Sequence, residues 1–117
     1  AIVLSTTVAG QTAANNVPGT RAEHDQRTIT PNDLKPTQCA SLNLTAKLTG
    51  NGTINGTAAN ELITGGAGAD TIDGGGGDDC ILGGGGVDNL RGSGGTDVCI
   101  GGAGNDSMHP SCETAIQ

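Results

Sequence analysis

Cut every nine residues from Gly65, the chain reads GGAGADTID (65–73), GGGGDDCIL (74–82), GGGGVDNLR (83–91), GSGGTDVCI (92–100) and GGAGNDSMH (101–109), with no insertion. Position six is aspartate in every unit (Asp70, Asp79, Asp88, Asp97 and Asp106), and position eight is Ile72, Ile81, Leu90, Cys99 and Met108. A degenerate unit, GTAANELIT (56–64), precedes them, with Glu61 in the acidic column and Ile63 in the apolar one; nine residues earlier stands Ile54. A flexible glycine-rich linker has no reason to hold an acid and a large apolar residue in fixed columns through five cycles. A short fixed period instead marks a solenoid.

Over residues 56–109 the pattern resembles the hemolysin-type, or RTX, nonapeptide GGxGxDxUx, in which U is a large apolar residue. The resemblance implies an all-β, right-handed parallel β-roll with two nonapeptides per coil, here with an N-terminal β-strand extension. The same geometry follows from the residues. Six residues form a turn whose glycines adopt positive φ, and the remaining three form a short strand with only its middle residue facing inward. Two units make an 18-residue coil, so the acids fall into two columns: Asp70, Asp88 and Asp106 on one edge, Glu61, Asp79 and Asp97 on the other.

Stacked carboxylates need a counter-ion, and calcium suits them because it takes 6 to 8 oxygens in loose geometry, mixing carboxylates with main-chain carbonyls. The expected metal-binding turns comprise the six acids with Gly65, Gly66, Gly68, Gly74, Gly75, Gly77, Gly83, Gly84, Gly86, Gly92, Gly95, Gly101, Gly102 and Gly104. About four Ca2+ ions are expected, between Glu61 and Asp79, Asp79 and Asp97, Asp70 and Asp88, and Asp88 and Asp106. A single apolar column cannot offset the entropy of ordering a glycine-rich chain whose acids repel one another, so calcium is expected to be a condition of folding.

Composition agrees with a thin repeat. The 117 residues hold 22 glycines and no Phe, Trp or Tyr, which leaves no material for a conventional core. The net charge of −7 resides in residues 56–109, where eight acids face Arg91 alone. Such a block repels nucleic acid and anionic lipid, and no apolar run is long enough to span a membrane. Cys39, Cys80, Cys99 and Cys112 lack paired zinc-site spacing and point to disulfides in an oxidising compartment. Of three possible pairings, alternation disfavours a bond between Cys80, which at position seven should face outward, and Cys99, which at position eight should face inward; of those left, Cys39–Cys80 with Cys99–Cys112 is the one expected. The first would pin the N-terminal region to the side of the roll, and the second would fold the tail back as a cap. Sequons at Asn43, Asn51, Asn55 and Asn105 add weak support for export. The chain, which begins at Ala1 without a signal peptide, reads as a processed extracellular form.

The N-terminal half divides into an extended arm, residues 1–40, ahead of the roll and its caps, residues 41–117. Alternation in AIVLSTTVA predicts a strand over residues 1–9, which the roll has no evident face to receive; donation to a second copy of the chain is one way to order it. A short TIT strand (28–30) and a proline-bounded PNDLKP follow. From Ser41, Leu42, Leu44, Ala46 and Leu48 alternate onto one face, expected to continue the column of Ile54 and Ile63.

His24 and His109 have no nucleophile context such as GxSxG, so no catalytic residue is assigned. The leading expectation is a secreted, calcium-stabilised structural protein assembling with itself into a filament or surface layer. A calcium-triggered folding module of a larger exported protein is the alternative. A surface binder for ice or glycans ranks last, because the outward positions carry no regular threonine array and no aromatic platform.

Overall fold

A computed structural model describes residues 28–117. The strand expected over residues 1–9, and His24, lie outside the described residues. Among these residues nine short strands follow one another: β1 Ala46–Thr49, β2 Thr53–Asn55, β3 Glu61–Thr64, β4 Thr71–Asp73, β5 Cys80–Gly85, β6 Asn89–Arg91, β7 Val98–Ala103, β8 Ser107–Met108 and β9 Thr114–Ile116. Odd strands form one parallel sheet in the order β1-β3-β5-β7-β9, and even strands form a second in the order β2-β4-β6-β8. The chain alternates between sheets at every turn, so it winds as a solenoid.

The register is the sequence period made visible. Ile54 faces Ile72, Ile63 faces Ile81, Ile72 faces Leu90, Ile81 faces Cys99 and Leu90 faces Met108, each pair 18 residues apart. The coils are shorter only at the ends: Leu48 faces Ile63 and Cys99 faces Ala115, spacings of 15 and 16 residues. Ile54, Ile63, Ile72, Ile81, Leu90, Cys99 and Cys112 make one buried column, flanked by Leu48 and Met108. With 3.6-residue periodicity absent and glycine in every turn, stacking of this column is what fixes the register.

The two sheets differ on their outer faces. Thr53, Thr71, Asn89 and Ser107 on the even sheet are exposed. On the odd sheet the corresponding Leu62, Cys80 and Val98 are buried with Cys39, Leu42 and Leu44, and Leu82 and Ile100 pack against them. The segment before β1 thus lies against the side of the roll. The Cys39–Cys80 disulfide joins the two, with Cα atoms 6.0 Å apart.

Three local expectations are corrected. Residues 28–30 form no strand; Thr30 instead caps a single helical turn, α1 Pro31–Leu34, whose Asp33 carboxylate accepts the Thr30 N–H at 2.8 Å and its hydroxyl at 2.7 Å. The proline at N1 and an acid at N3 favour that turn over an extended chain. Leu42 and Leu44 do not continue the inner column; they cover the apolar outer face of the odd sheet, and the strand proper starts at Ala46. Asn32 fixes this segment, its side-chain oxygen accepting the Leu44 N–H at 2.9 Å and its amide donating to the Leu44 carbonyl at 3.0 Å. The C-terminal tail does not fold over the last coil. It adds another rung, with Cys112 bonded to Cys99 and buried in the column, and β9 paired to β7.

Candidate metal centre

The sheets place the acids in two ladders. In one, the Glu61 N–H donates to Asp79 Oδ1 at 2.8 Å and the Asp79 N–H to Asp97 Oδ1 at 2.9 Å. In the other, the Asp70 N–H donates to Asp88 Oδ1 at 2.8 Å and the Asp88 N–H to Asp106 Oδ1 at 2.9 Å, while Asp70 Oδ1 accepts the Gly52 N–H. Each of these aspartates therefore commits one oxygen to the coil before it.

The other oxygen is where the six acids part company. Asp79, Asp88, Asp97 and Asp106 each bury an Oδ2 without a partner. An ionised oxygen in that condition costs several kcal/mol, so four in register call for a ligand. Asp70 Oδ2 accepts the Gly66 N–H at 2.8 Å, and Glu61 Oε2 accepts the N–H and the hydroxyl of Thr57, the latter at 2.7 Å. The first two turns satisfy their acids with their own donors, so of the six expected ligand acids four have an oxygen to spare.

Glycine is required around these oxygens for two reasons. The first glycine of a unit lies against the acid of its own turn and the carbonyl one coil on: a Cβ on Gly74 would meet Asp79 Oδ2 at 2.5 Å and the Gly92 carbonyl oxygen at 2.8 Å. Gly65, Gly83, Gly92 and Gly101 approach Asp70, Asp88, Asp97 and Asp106 in the same way. The glycines at positions two and four, Gly75, Gly77, Gly84, Gly86, Gly95, Gly102 and Gly104, have positive φ and rest on main-chain carbonyls of the preceding coil. Gly66 and Gly68, expected to match them, do not have positive φ. Theirs is the turn that closes on Asp70 with a backbone N–H instead.

The unit GSGGTDVCI keeps the geometry without a glycine at position two. Ser93 sits at φ 77°, the one non-glycine at positive φ among the described residues. Its hydroxyl donates to Asp73 Oδ1 at 2.6 Å and its N–H to Ser111 Oγ at 2.9 Å, which offsets the strain. Two further contacts escaped sequence reasoning. The Asp78 N–H donates to Asn60 Oδ1 at 2.9 Å and the Thr96 N–H to Asp78 Oδ1 at 2.8 Å, a third ladder beside that of Glu61, Asp79 and Asp97. Asn60, Asp78 and Thr96 share position five, a column the repeat pattern leaves free.

Burial pushes the Asp79 carboxyl up to about 7; Asp97, Glu61 and Asp78 add repulsion, against the hydrogen bond from the Glu61 N–H. Asp97 is raised for the same leading reason, with Glu113, Asp78 and Asp73 contributing. A cation among these oxygens would reverse both shifts. Among the described residues no three His, Cys, Asp or Glu side chains gather at one point. A donor set built here would combine these carboxylates with main-chain carbonyls, which fits a hard cation with many oxygen ligands.

The family described as RTX calcium-binding nonapeptide repeat, in four copies, matches residues 55–90 and 81–108. Residues 55–108 are RTX repeats. Repeats of this kind bind calcium, which agrees with the oxygen donors facing the turns. No curated protein and no solved structure gives a significant match to the chain. Within the RTX array, the turns after Gly74 carry the four acids with free oxygens; the turn at Gly65 and the degenerate one at Gly56 are closed by their own N–H groups. No helix among the described residues is long and apolar enough to cross a membrane.

Proposed function

We propose that the protein is a secreted structural module that calcium hardens outside the cell. The observation that carries this reading is the row of four buried, unpartnered Oδ2 atoms on Asp79, Asp88, Asp97 and Asp106. These residues, with main-chain carbonyls of the glycine turns, would hold about four ions; Glu61 and Asp70 would join them as their turns release Thr57 and Gly66. Bound calcium supplies the positive charge that lets stacked carboxylates approach. The two disulfides support an oxidising, extracellular setting.

Assembly with further copies is the form of structural role that the ends of the roll support. Among the described residues the odd sheet ends at β1 and β9 and the even sheet at β2 and β8, each with a single neighbour. Such edges accept another strand, and the apolar alternation of residues 1–9 is of the kind that supplies one.

Circular dichroism during a chelator titration tests the calcium requirement: β-sheet signal and melting temperature should fall together as calcium is withdrawn and return on its re-addition. An unchanged spectrum and melting temperature would refute it. Electron microscopy with light scattering tests assembly, and monomeric particles alone in saturating calcium would refute that part.

A further inference from the structure

Glu113 lies beyond the nonapeptides, and an 18-residue spacing would put the next acid of its column at position 115, which is alanine. Even so, Glu113 Oε2 accepts the Asp97 N–H at 2.7 Å. That is the bond which Asp97 makes to Asp79, and Asp79 to Glu61, in the coils before. The last coil has lost two residues, Val98 facing Thr114 and Cys99 facing Ala115. In that shortened register position 113 is the one that comes beside Asp97.

Two further observations bear on this place. Asp97 is fully buried, and its Oδ2 has no partner. Cys112, the residue before Glu113, is bonded to Cys99 on the neighbouring strand and buried in the apolar column. Without that bond the tail would hold to the roll through the three-residue β9 and the single hydrogen bonds that Ser111 and Glu113 accept from Ser93 and Asp97, at an open end where chain termini fray.

We infer that Glu113 is a ligand of the last calcium site in the Glu61–Asp79–Asp97 column, and that the Cys99–Cys112 disulfide holds it there, making that site's affinity depend on the oxidation state of the pair. The inference rests on the calcium reading above. A dithiol or phosphine reductant supplies two electrons, and with two protons the S–S bond becomes two thiols. Glu113 then has to be ordered by calcium itself, and the site weakens. The other column, ending at Asp106, has no such staple.

Calcium competition against a chromophoric chelator, on the full oxidised chain, tests this beside Glu113→Gln, an exposed and isosteric change. The variant should lose one high-affinity site, or weaken it roughly tenfold or more, with the remaining sites unchanged. Reduction of the wild type should reproduce that loss, and reduction of Glu113→Gln should add little at the same site. Wild-type stoichiometry and affinity in oxidised Glu113→Gln would overturn the assignment. Equal effects of reduction on both chains would overturn the coupling. If reduction melts the entire roll by circular dichroism, the double variant Cys99→Ala/Cys112→Ala, which keeps Cys39–Cys80, takes the place of reduction, and wild-type affinity at that site in this variant would overturn the coupling. A wild type that binds no calcium at all would instead refute the calcium reading.

Discussion

Replacing Asp79 by asparagine should change the sign of its effect with calcium. The carboxyl is pushed from 3.8 to about 7, chiefly by burial. At 1.36 kcal/mol per unit, the calcium-free fold prefers the neutral form by on the order of 4 kcal/mol. The folded pKa lies above the unfolded one, so the charged side chain costs nothing below pH 3.8, and the cost grows until it is complete above about pH 7. An asparagine at this position would keep the oxygen that accepts the Glu61 N–H and shed the charge, while its amide would add a buried donor, a cost of about 1–3 kcal/mol. In chelator at pH 8, Asp79→Asn should therefore be more stable than wild type by about 1–3 kcal/mol, and the order should reverse between about pH 4.5 and 6 as the charge cost falls below that of the amide. In saturating calcium the order should invert, because a ligand is gone. Thermal melts followed by circular dichroism measure both; where the chelated wild type is already unfolded, the osmolyte concentration needed to fold each chain gives the same comparison. Equal destabilisation with and without calcium, or a chelated difference independent of pH, would refute the reasoning.

Gly74→Ala should destabilise the calcium-bound roll by about 1–3 kcal/mol and raise the calcium midpoint, since its Cβ meets Asp79 Oδ2 and the Gly92 carbonyl; the same change at Gly68, where a Cβ meets nothing within 4 Å, should be far milder in the same melt. Opening Cys39–Cys80 as a double alanine variant should cost about 4 kcal/mol from the chain-entropy relation for a separation of 41 residues, read as a lower melting temperature. Ser93→Val should destabilise more than Ser93→Gly in denaturant melts, because only glycine tolerates φ 77° without the hydroxyl bond to Asp73.

What could be read in the sequence was whatever repeats at nine residues. The inner column from Ile54 to Met108 and the two acid ladders follow from period and alternation alone. That Cys80 and Cys99 do not pair with each other follows from which side of a strand positions seven and eight face; their actual partners, Cys39 and Cys112, are given by the structure. The free oxygens were not legible, because whether an acid keeps one depends on donors in its own turn. Gly66 and Thr57 supply such donors, and their counterparts in later units do not. The docking of Leu42 and Leu44 had a signal that alternation within one strand hides. Units feeding the odd sheet put Leu62, Cys80, Leu82, Val98 and Ile100 at positions seven and nine, whereas those feeding the even sheet put Thr71, Asp73, Asn89 and Arg91 there. Comparing alternate units, rather than neighbouring ones, exposes an apolar outer face that needs a cover. Glu113 was hidden by a coil that departs from the period by two residues.

The ladder in which each acid accepts the N–H of the acid one coil before makes the roll a one-dimensional chain of neighbours. In such a chain a break is not averaged over a core. A ligand lost at Asp88, with a coil on either side, severs the stack into two short pieces, each with a fresh unpaired end, whereas the same loss at Asp106 trims a terminus. Position along the axis, more than burial or residue type, should then rank the severity of damage. Growth from one ordered turn should run outward like a zipper, each ion closing the next tooth.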